Sequence, residues 1–260
     1  MDELSRCVDF LRSHAFTVSD TGPSARFATA LLMRELPRVW SLNFVVAERE
    51  LATVSAEELA AEADELLGGA GLHHRKVEVW DEEAGERLAD GFRELGWYVE
   101  RDVVMVYRGP PDREVDTSEV RIVGAKELGP IWAEGTSADF KSDPEVVRQL
   151  VEYKRVLAER ARARFFAAPA DGRLASYCDL YPDASGTAQI EAVVTLEPYR
   201  GRGLARAVVT RAREAAEAEG HDLTFLLADD SDWPKHLYEK LGFVTVGAVY
   251  DFLRRPASPH

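Results

Sequence analysis

The stretch Leu196-Glu197-Pro198-Tyr199-Arg200-Gly201-Arg202-Gly203-Leu204-Ala205 lies between an apolar strand pattern and a helix pattern with one apolar face. A glycine-rich turn from strand into helix aims several backbone N–H groups at one spot, and the helix N-terminus adds partial positive charge there. Glycine is wanted where a bulky phosphate must approach the main chain or where φ is positive. Arg200 and Arg202 supply two cations. The chemistry of such a loop is the binding of a diphosphate. A dinucleotide fingerprint would need G-x-G-x-x-G, and a P-loop would need G-x-x-x-x-G-K-[ST]; neither is present. For R-G-R-G alone, an ordinary turn carrying two solvated arginines is the competing reading.

A second motif follows at Leu237-Tyr238-Glu239-Lys240-Leu241-Gly242-Phe243, with a strand pattern between the two. Taken together, residues 120–254 resemble the GNAT superfamily of acyl-CoA N-acyltransferases. The superfamily motif [RQ]-x-x-G-x-[GA] after a strand is matched by Arg200, Gly203 and Ala205. The resemblance implies an α/β (α+β) fold, a mixed central sheet flanked by helices. It implies acetyl-CoA as co-substrate and a primary amine of a small molecule or peptide as acceptor. The strand ending at Leu196 would splay from its parallel neighbour, so that backbone groups at Thr195 and Leu196 hold the pantetheine arm and polarise the thioester carbonyl. Arg200, Gly201, Arg202, Gly203, Leu204, Ala205 and Arg206 would hold the pyrophosphate, largely through main-chain N–H groups. Tyr238 would be the general acid for the departing thiolate, against a plain packing role on an amphipathic helix. Many members carry Asn seven residues before that Tyr and Ala three residues later. Here Ser231 and Pro234 stand there, which puts the hydrogen bond to the pantetheine arm in question and leaves Ser231 to supply it.

An attacking amine must first lose a proton. Glu191 shares a strand face with Val193 and Thr195, so its carboxylate is the candidate base, acting through water; a structural or substrate-binding carboxylate is the alternative. Asp229, Asp230 and Asp232 form a second acidic cluster suited to loop solvation, to capping a helix at Trp233, or to holding a cationic substrate. His73, His74, His221 and His236 show no spacing with Cys or carboxylates that suggests a metal.

The elements that position these residues follow from pattern. Helices are expected near Leu4 to Phe16, Phe27 to Leu36, Ser55 to Leu67, Asp81 to Leu95, Leu128 to Glu134, Pro144 to Arg162, the run after the Arg/Gly loop to Glu219, and Trp233 to Leu241. Ser55 and Glu58 form a capping-box pattern, and Gly68-Gly69 is the expected stop. Strands are expected at Leu42 to Ala47, Lys76 to Trp80, Tyr98 to Tyr107, Val120 to Val123, Arg164 to Ala168, Arg173 to Leu180, Thr187 to Leu196, Leu223 to Leu227 and Phe243 to Leu253. The break at Arg108-Gly109-Pro110-Pro111 is the strongest linker signal. It divides the chain into 1–112 and 113–260.

Gly96 and Gly242, each joining a helix to a final strand, stand 146 residues apart. The same offset carries Phe92 onto Tyr238, Leu95 onto Leu241 and Arg108 onto Arg254. The chain therefore reads as two tandem GNAT-like units, the first degenerate. Thr53 to Leu59 stand where the Arg/Gly loop should be, without glycine and with Glu57 and Glu58, which would repel a pyrophosphate. Phe92 lacks the hydroxyl. That half should bind no cofactor, and instead walls the acceptor pocket or forms a homodimer interface.

The chain has 260 residues, a net charge of −14 and two cysteines, Cys7 and Cys178. Such acidity disfavours nucleic-acid and anionic-membrane binding. The cysteines show no framework, the N-terminus no secretory pattern, and no apolar run reaches the length of a membrane span. A cytoplasmic, soluble protein is expected. Two functional classes stand at this point: an N-acetyltransferase, or a non-catalytic acyl-CoA-binding module of the same fold. A third reading has the first half recruiting a protein partner.

Overall fold

The computed structural model describes residues 1–139 and 143–256. Its contacts divide it into two compact units. The N-terminal unit is Leu11–Val103 with Asp229–Ser231 and Gly247–His260; the C-terminal unit is Met1–Phe10 with Val104–Ala228 and Asp232–Val246. The division falls between Val103 and Val104, inside a strand, and not at the Gly109-Pro110-Pro111 break. The elements in chain order are α1 (Glu3–Val18), β1 (Asp20–Ser24), β2 (Ala28–Leu32), β3 (Phe44–Ala47), α2 (Ala56–Gly69), β4 (Arg75–Val79), α3 (Glu82–Glu94) and β5 (Tyr98–Tyr107). They continue as β6 (Arg121–Val123), α4 (Ala125–Asp139), α5 (Pro144–Arg160), β7 (Arg164–Ala170), β8 (Arg173–Pro182), β9 (Thr187–Thr195), α6 (Leu204–Ala218), β10 (Leu223–Asp229), α7 (Pro234–Glu239) and β11 (Phe243–Arg254).

In the N-terminal unit the strand order is β1-β2-β3-β4-β11. β3 and β4 run parallel, and β2 and β11 flank them antiparallel. α2 forms where Leu59, Ala60, Ala63, Leu66 and Leu67 repeat at helical spacing, and it buries that stripe. The capping box exists: Glu58 N donates to the Ser55 hydroxyl at 3.2 Å, and Ser55 N donates to the Glu58 carboxylate at 2.9 Å. Gly68 and Gly69 remain helical, so the stop falls later than expected. α3 starts from Asp81, whose carboxylate accepts from Ala84 N at 2.8 Å. It buries Leu88, Ala89 and Phe92 against the same core that receives Val77, Val79 and Phe252.

The segment from Phe27 to Leu36 is not a helix. Its Ala-Thr-Ala-Leu-Leu run is the strand β2, buried at every residue and paired on both sides, by β1 and β3. A strand covered on both faces shows no alternation, so its apolar spacing imitates a helical one. After β2, the buried Asn43 amide closes the turn, accepting from Met33 N and donating to the carbonyls of Leu36 and Val39, each at 2.9 Å. β1 carries no apolar pattern, and pattern reading gave no expectation of it.

In the C-terminal unit the order is β5-β10-β9-β8-β7-β6, with β9 and β10 parallel and β6 to β9 antiparallel to one another. α6 lies over β8 and β9, burying Ala207, Val208, Ala212, Ala215 and Ala216. Small residues on that stripe let the helix sit close to the sheet. Trp132 of α4 is buried and meets Phe165 and Tyr177 edge-on. The Gly109-Pro110 segment is docked: Arg108 N donates to Gly242 O at 2.9 Å, and Asp112 N to Lys240 O at 2.8 Å. Gly242 is required twice over, since its φ is +91° and a Cβ would lie 1.9 Å from the Gly109 carbonyl oxygen. Cys7 and Cys178 are both buried and free. Among the described residues no helix is long and apolar enough to cross a membrane.

Phe92 is fully buried, stacked on Phe252 at 4.1 Å and edge-on to Trp97 at 5.0 Å. Phe92→Ala should cost about 3–5 kcal/mol through lost burial and the cavity left behind. A urea titration checks this, and a midpoint unchanged from wild type would contradict the packing described.

Candidate active site

β9 and β10 are hydrogen-bonded neighbours only from Thr187 beside Leu223 to Ile190 beside Leu226. Beyond that point β9 continues to Thr195 and β10 to Asp229 without a paired register. The cause lies on the other edge of β9. There Asp179 faces Glu191 and Tyr177 faces Val194, so two residues, Ala192 and Val193, oppose Cys178 alone. Ala192 takes a positive φ of 52° to fit. Such a bulge bends its strand. Backbone of Val193, Val194 and Thr195 is thereby laid along a cleft of about 590 Å³.

The chain then turns through Glu197–Tyr199 and enters α6. Gly203 is the N-cap residue at φ +82°, a left-handed conformation that an L side chain resists, and it has no side chain to cap the helix. No neighbour lies within 4 Å of where its Cβ would be, so conformation and not space demands the glycine. The amides of Leu204, Ala205 and Arg206 follow in the first turn, where helical N–H groups have no partner within the helix. Gly201, Gly203, Leu204, Ala205 and Arg206 all line the cleft. With the helix dipole added, this end of the cleft carries partial positive charge.

The arginines of the loop divide. Arg200 lines the cleft, its Nε donating to the Thr195 carbonyl at 3.2 Å. Arg202 turns away: its guanidinium pairs with Asp171 at 2.9 and 3.0 Å and lies over the Tyr199 ring. Arg206 is buried at the cleft wall and pairs with Asp112 at 2.7 and 3.2 Å. The Arg206 bond holds the Asp112 carboxyl below its usual range.

Tyr238 of α7 is buried at the cleft wall, 7% exposed, edge-on to Phe243. Its hydroxyl makes no hydrogen bond to the protein among the described residues. Burial, and then the charge of Glu191, push its pKa well above the ordinary tyrosine value. Glu191 accepts from Gln189 Nε2 at 2.9 Å and from Ala192 N at 3.2 Å. Burial raises its pKa against the lowering by those donors and by Lys154. Glu191 is not among the residues lining the cleft, but its field reaches Tyr238.

Of the residues expected at the site, Thr195, Arg200, Gly201, Gly203, Leu204, Ala205, Arg206 and Tyr238 come together in one cleft. Four do not line it, Glu191 being the first. Leu196 is buried and its N–H is spent on Ala175 O at 2.9 Å. The Arg202 side chain is held by Asp171. Ser231 closes a local turn, its N–H and hydroxyl both on the Asp229 carboxylate at 2.8 and 2.7 Å. Asp232 does not cap α7 as expected: it accepts from Trp233 N at 2.7 Å, and Trp233 itself is the N-cap residue. Cleft residues of which no site role was expected include Arg113, Val194, Tyr199 and Trp233. Trp233 is 64% exposed, and a lone exposed tryptophan before a proline was the available signal. Arg113 had none, because it lies far from the motifs in sequence. Among the described residues no cluster of His, Cys, Asp and Glu could hold a metal. His74 is structural: it is buried, bonded to Asn43 O at 2.7 Å and stacked on Trp40, and burial lowers its pKa to about 4.

Residues 131–243 match the profile of the Acetyltransferase (GNAT) family. Solved structures share the fold over nearly the whole chain. A GCN5-related N-acetyltransferase from Kribbella flavida has a TM-score of 0.65 at 19% identity, covering 99% of this chain and 97% of its own. A functionally unknown conserved protein from Staphylococcus epidermidis has a TM-score of 0.65 at 14% identity, covering 92% and 95%. A GCN5-related N-acetyltransferase from Sphaerobacter thermophilus reaches 0.58 at 17% identity, covering 90% and 78%. No curated protein gives a significant match. The matched segment, 131–243, holds the strands and helices that form most of the cleft.

Because Glu191 holds its proton more tightly when folded, stability should fall as pH rises from the ordinary carboxylate range through the raised value. Glu191→Gln removes that loss. The variant should gain on wild type with rising pH across this window, the difference shrinking at lower pH. Urea midpoints measured against pH test this; a pH-independent difference would mean that Glu191 titrates like an exposed carboxylate.

Proposed function

We propose that this protein is an N-acetyltransferase that moves the acetyl group of acetyl-CoA to a primary amine of a small molecule or peptide by direct attack. The observation that carries the reading is the uncapped first turn of α6 opening on the cleft beside the unpaired end of β9. The pyrophosphate would take the amides around Gly203 to Arg206. The pantetheine arm would lie along Val193 to Thr195, where β10 no longer pairs. In that pose the thioester faces Tyr238.

The neutral amine nitrogen attacks the thioester carbonyl carbon, the C–S bond breaks, and the sulfur leaves as thiolate. A free thiol has a pKa of about 8.5, below the ordinary tyrosine value of about 10. With its pKa raised further, Tyr238 keeps its proton at neutral pH and stabilises the thiolate chiefly through a hydrogen bond. Glu191 receives the amine proton through water; its raised pKa suits a base working closer to neutrality.

The N-terminal unit is proposed as a degenerate copy. Both halves run strand, helix, parallel strand, helix, strand, as β3-α2-β4-α3-β5 and β9-α6-β10-α7-β11. The start of α2, however, is closed by Ser55 and Glu58, its own carboxylate occupying the place of an anion. A non-catalytic acyl-CoA-binding module is the alternative, and the presence of Tyr238 in the cleft wall favours the enzyme.

Thiol release from acetyl-CoA across a panel of amines separates the two. Turnover is expected with at least one acceptor, and Tyr238→Phe should lower kcat roughly tenfold to a hundredfold with little change in acetyl-CoA affinity. Acetyl-CoA binding without turnover on any amine would favour the module, and an unchanged kcat in a chemistry-limited assay would remove the role of Tyr238.

A further inference from the structure

The segment after β5 does more than connect. Asp112 is fastened at two points, its N–H on Lys240 O at 2.8 Å and its carboxylate on the buried Arg206 guanidinium. Arg206 is the third residue of α6, so Asp112 is held beside the helix start that opens on the cleft. The next residue, Arg113, lines that cleft. Its side chain is exposed, and it makes no hydrogen bond or ion pair with the protein among the described residues.

The other cleft arginines are at least partly committed, Arg206 to Asp112 and Arg200 to the Thr195 carbonyl. The charge balance points the same way. Asp112 neutralises Arg206, and the cleft also contains Asp232. Coenzyme A brings a diphosphate and a 3′-phosphate, several negative charges that main-chain amides alone leave largely uncompensated. An exposed, unpaired guanidinium there can form bidentate bonds to phosphate. It is also a local cation on a chain of net charge −14, whose overall field repels such a ligand.

We propose that Arg113 is a phosphate-binding residue of the cofactor cleft, presented by the Asp112–Arg206 clamp from a segment outside both sequence motifs. The assignment rests on the reading of the cleft as a coenzyme A site. Its consequence is that cofactor affinity depends on a residue that lies before the segment matching the family profile, which begins at 131.

Calorimetry of the full chain with coenzyme A and with 3′-dephospho-coenzyme A, on wild type, Arg113→Ala and Arg113→Lys, tests this. Arg113→Ala should weaken coenzyme A binding about five- to fiftyfold, Arg113→Lys less, with unchanged thermal unfolding. If the alanine variant loses affinity for coenzyme A but not for the dephospho form, the contact is with the 3′-phosphate. Equal losses on both place it at the diphosphate. Arg113→Ala binding coenzyme A within twofold of wild type would overturn the proposal while leaving the cleft reading intact. Wild type binding neither ligand would overturn both.

Discussion

Everything in the C-terminal unit depends on a helix that starts without a cap. α6 begins from a glycine in a left-handed conformation, with no side chain on hand to satisfy its first amides. Such a terminus is costly unless water or a ligand meets it. Here the first turn opens on a cleft of about 590 Å³ rather than on the protein core. The bulge at Ala192 supplies the cleft, since it bends β9 away from β10 and leaves backbone along one edge unpaired. The uncapped helix start and the bulge together create the electropositive end of the cleft and the groove leading from it.

The N-terminal unit shows what the same topology does without that arrangement. α2 follows a strand and precedes a parallel one, as α6 does, yet its first turn is closed by a hydroxyl and a carboxylate from its own sequence. Arg87 donates to the carbonyls of Leu51 and Val54 just before that turn, tying the loop down. The contrast is one of electrostatics and glycine content, within one pattern of strands and helices.

Much of this was legible in the residues themselves. Gly203 announced the uncapped start of α6, and Ser55 with Glu58 announced the capping box that closes α2. Helices with a clean apolar stripe, such as α2 and α3, read correctly because burial on one face leaves a period. β2 did not, because burial on both faces erases it. Long-range pairing was also hidden. The Arg202 guanidinium, read as a free cation of the loop, is held by Asp171 in the β7–β8 turn, and the buried Arg206 is paired with an aspartate 94 positions away. Leu196 was placed correctly in sequence and wrongly in role, since its N–H serves the β8 side of the sheet. Which edge of a strand an amide faces is settled by register, and a bulge shifts register by a residue.

The most direct test of the account is the chemical environment of the α6 amides. In backbone NMR of the full chain titrated with coenzyme A, the N–H resonances of Gly203, Leu204, Ala205 and Arg206 should show the largest downfield proton shifts, as expected for amides that gain charged acceptors. The amides at the start of α2, already bonded within the protein, should stay in place. Saturable binding that leaves the four α6 amides unmoved would contradict the account.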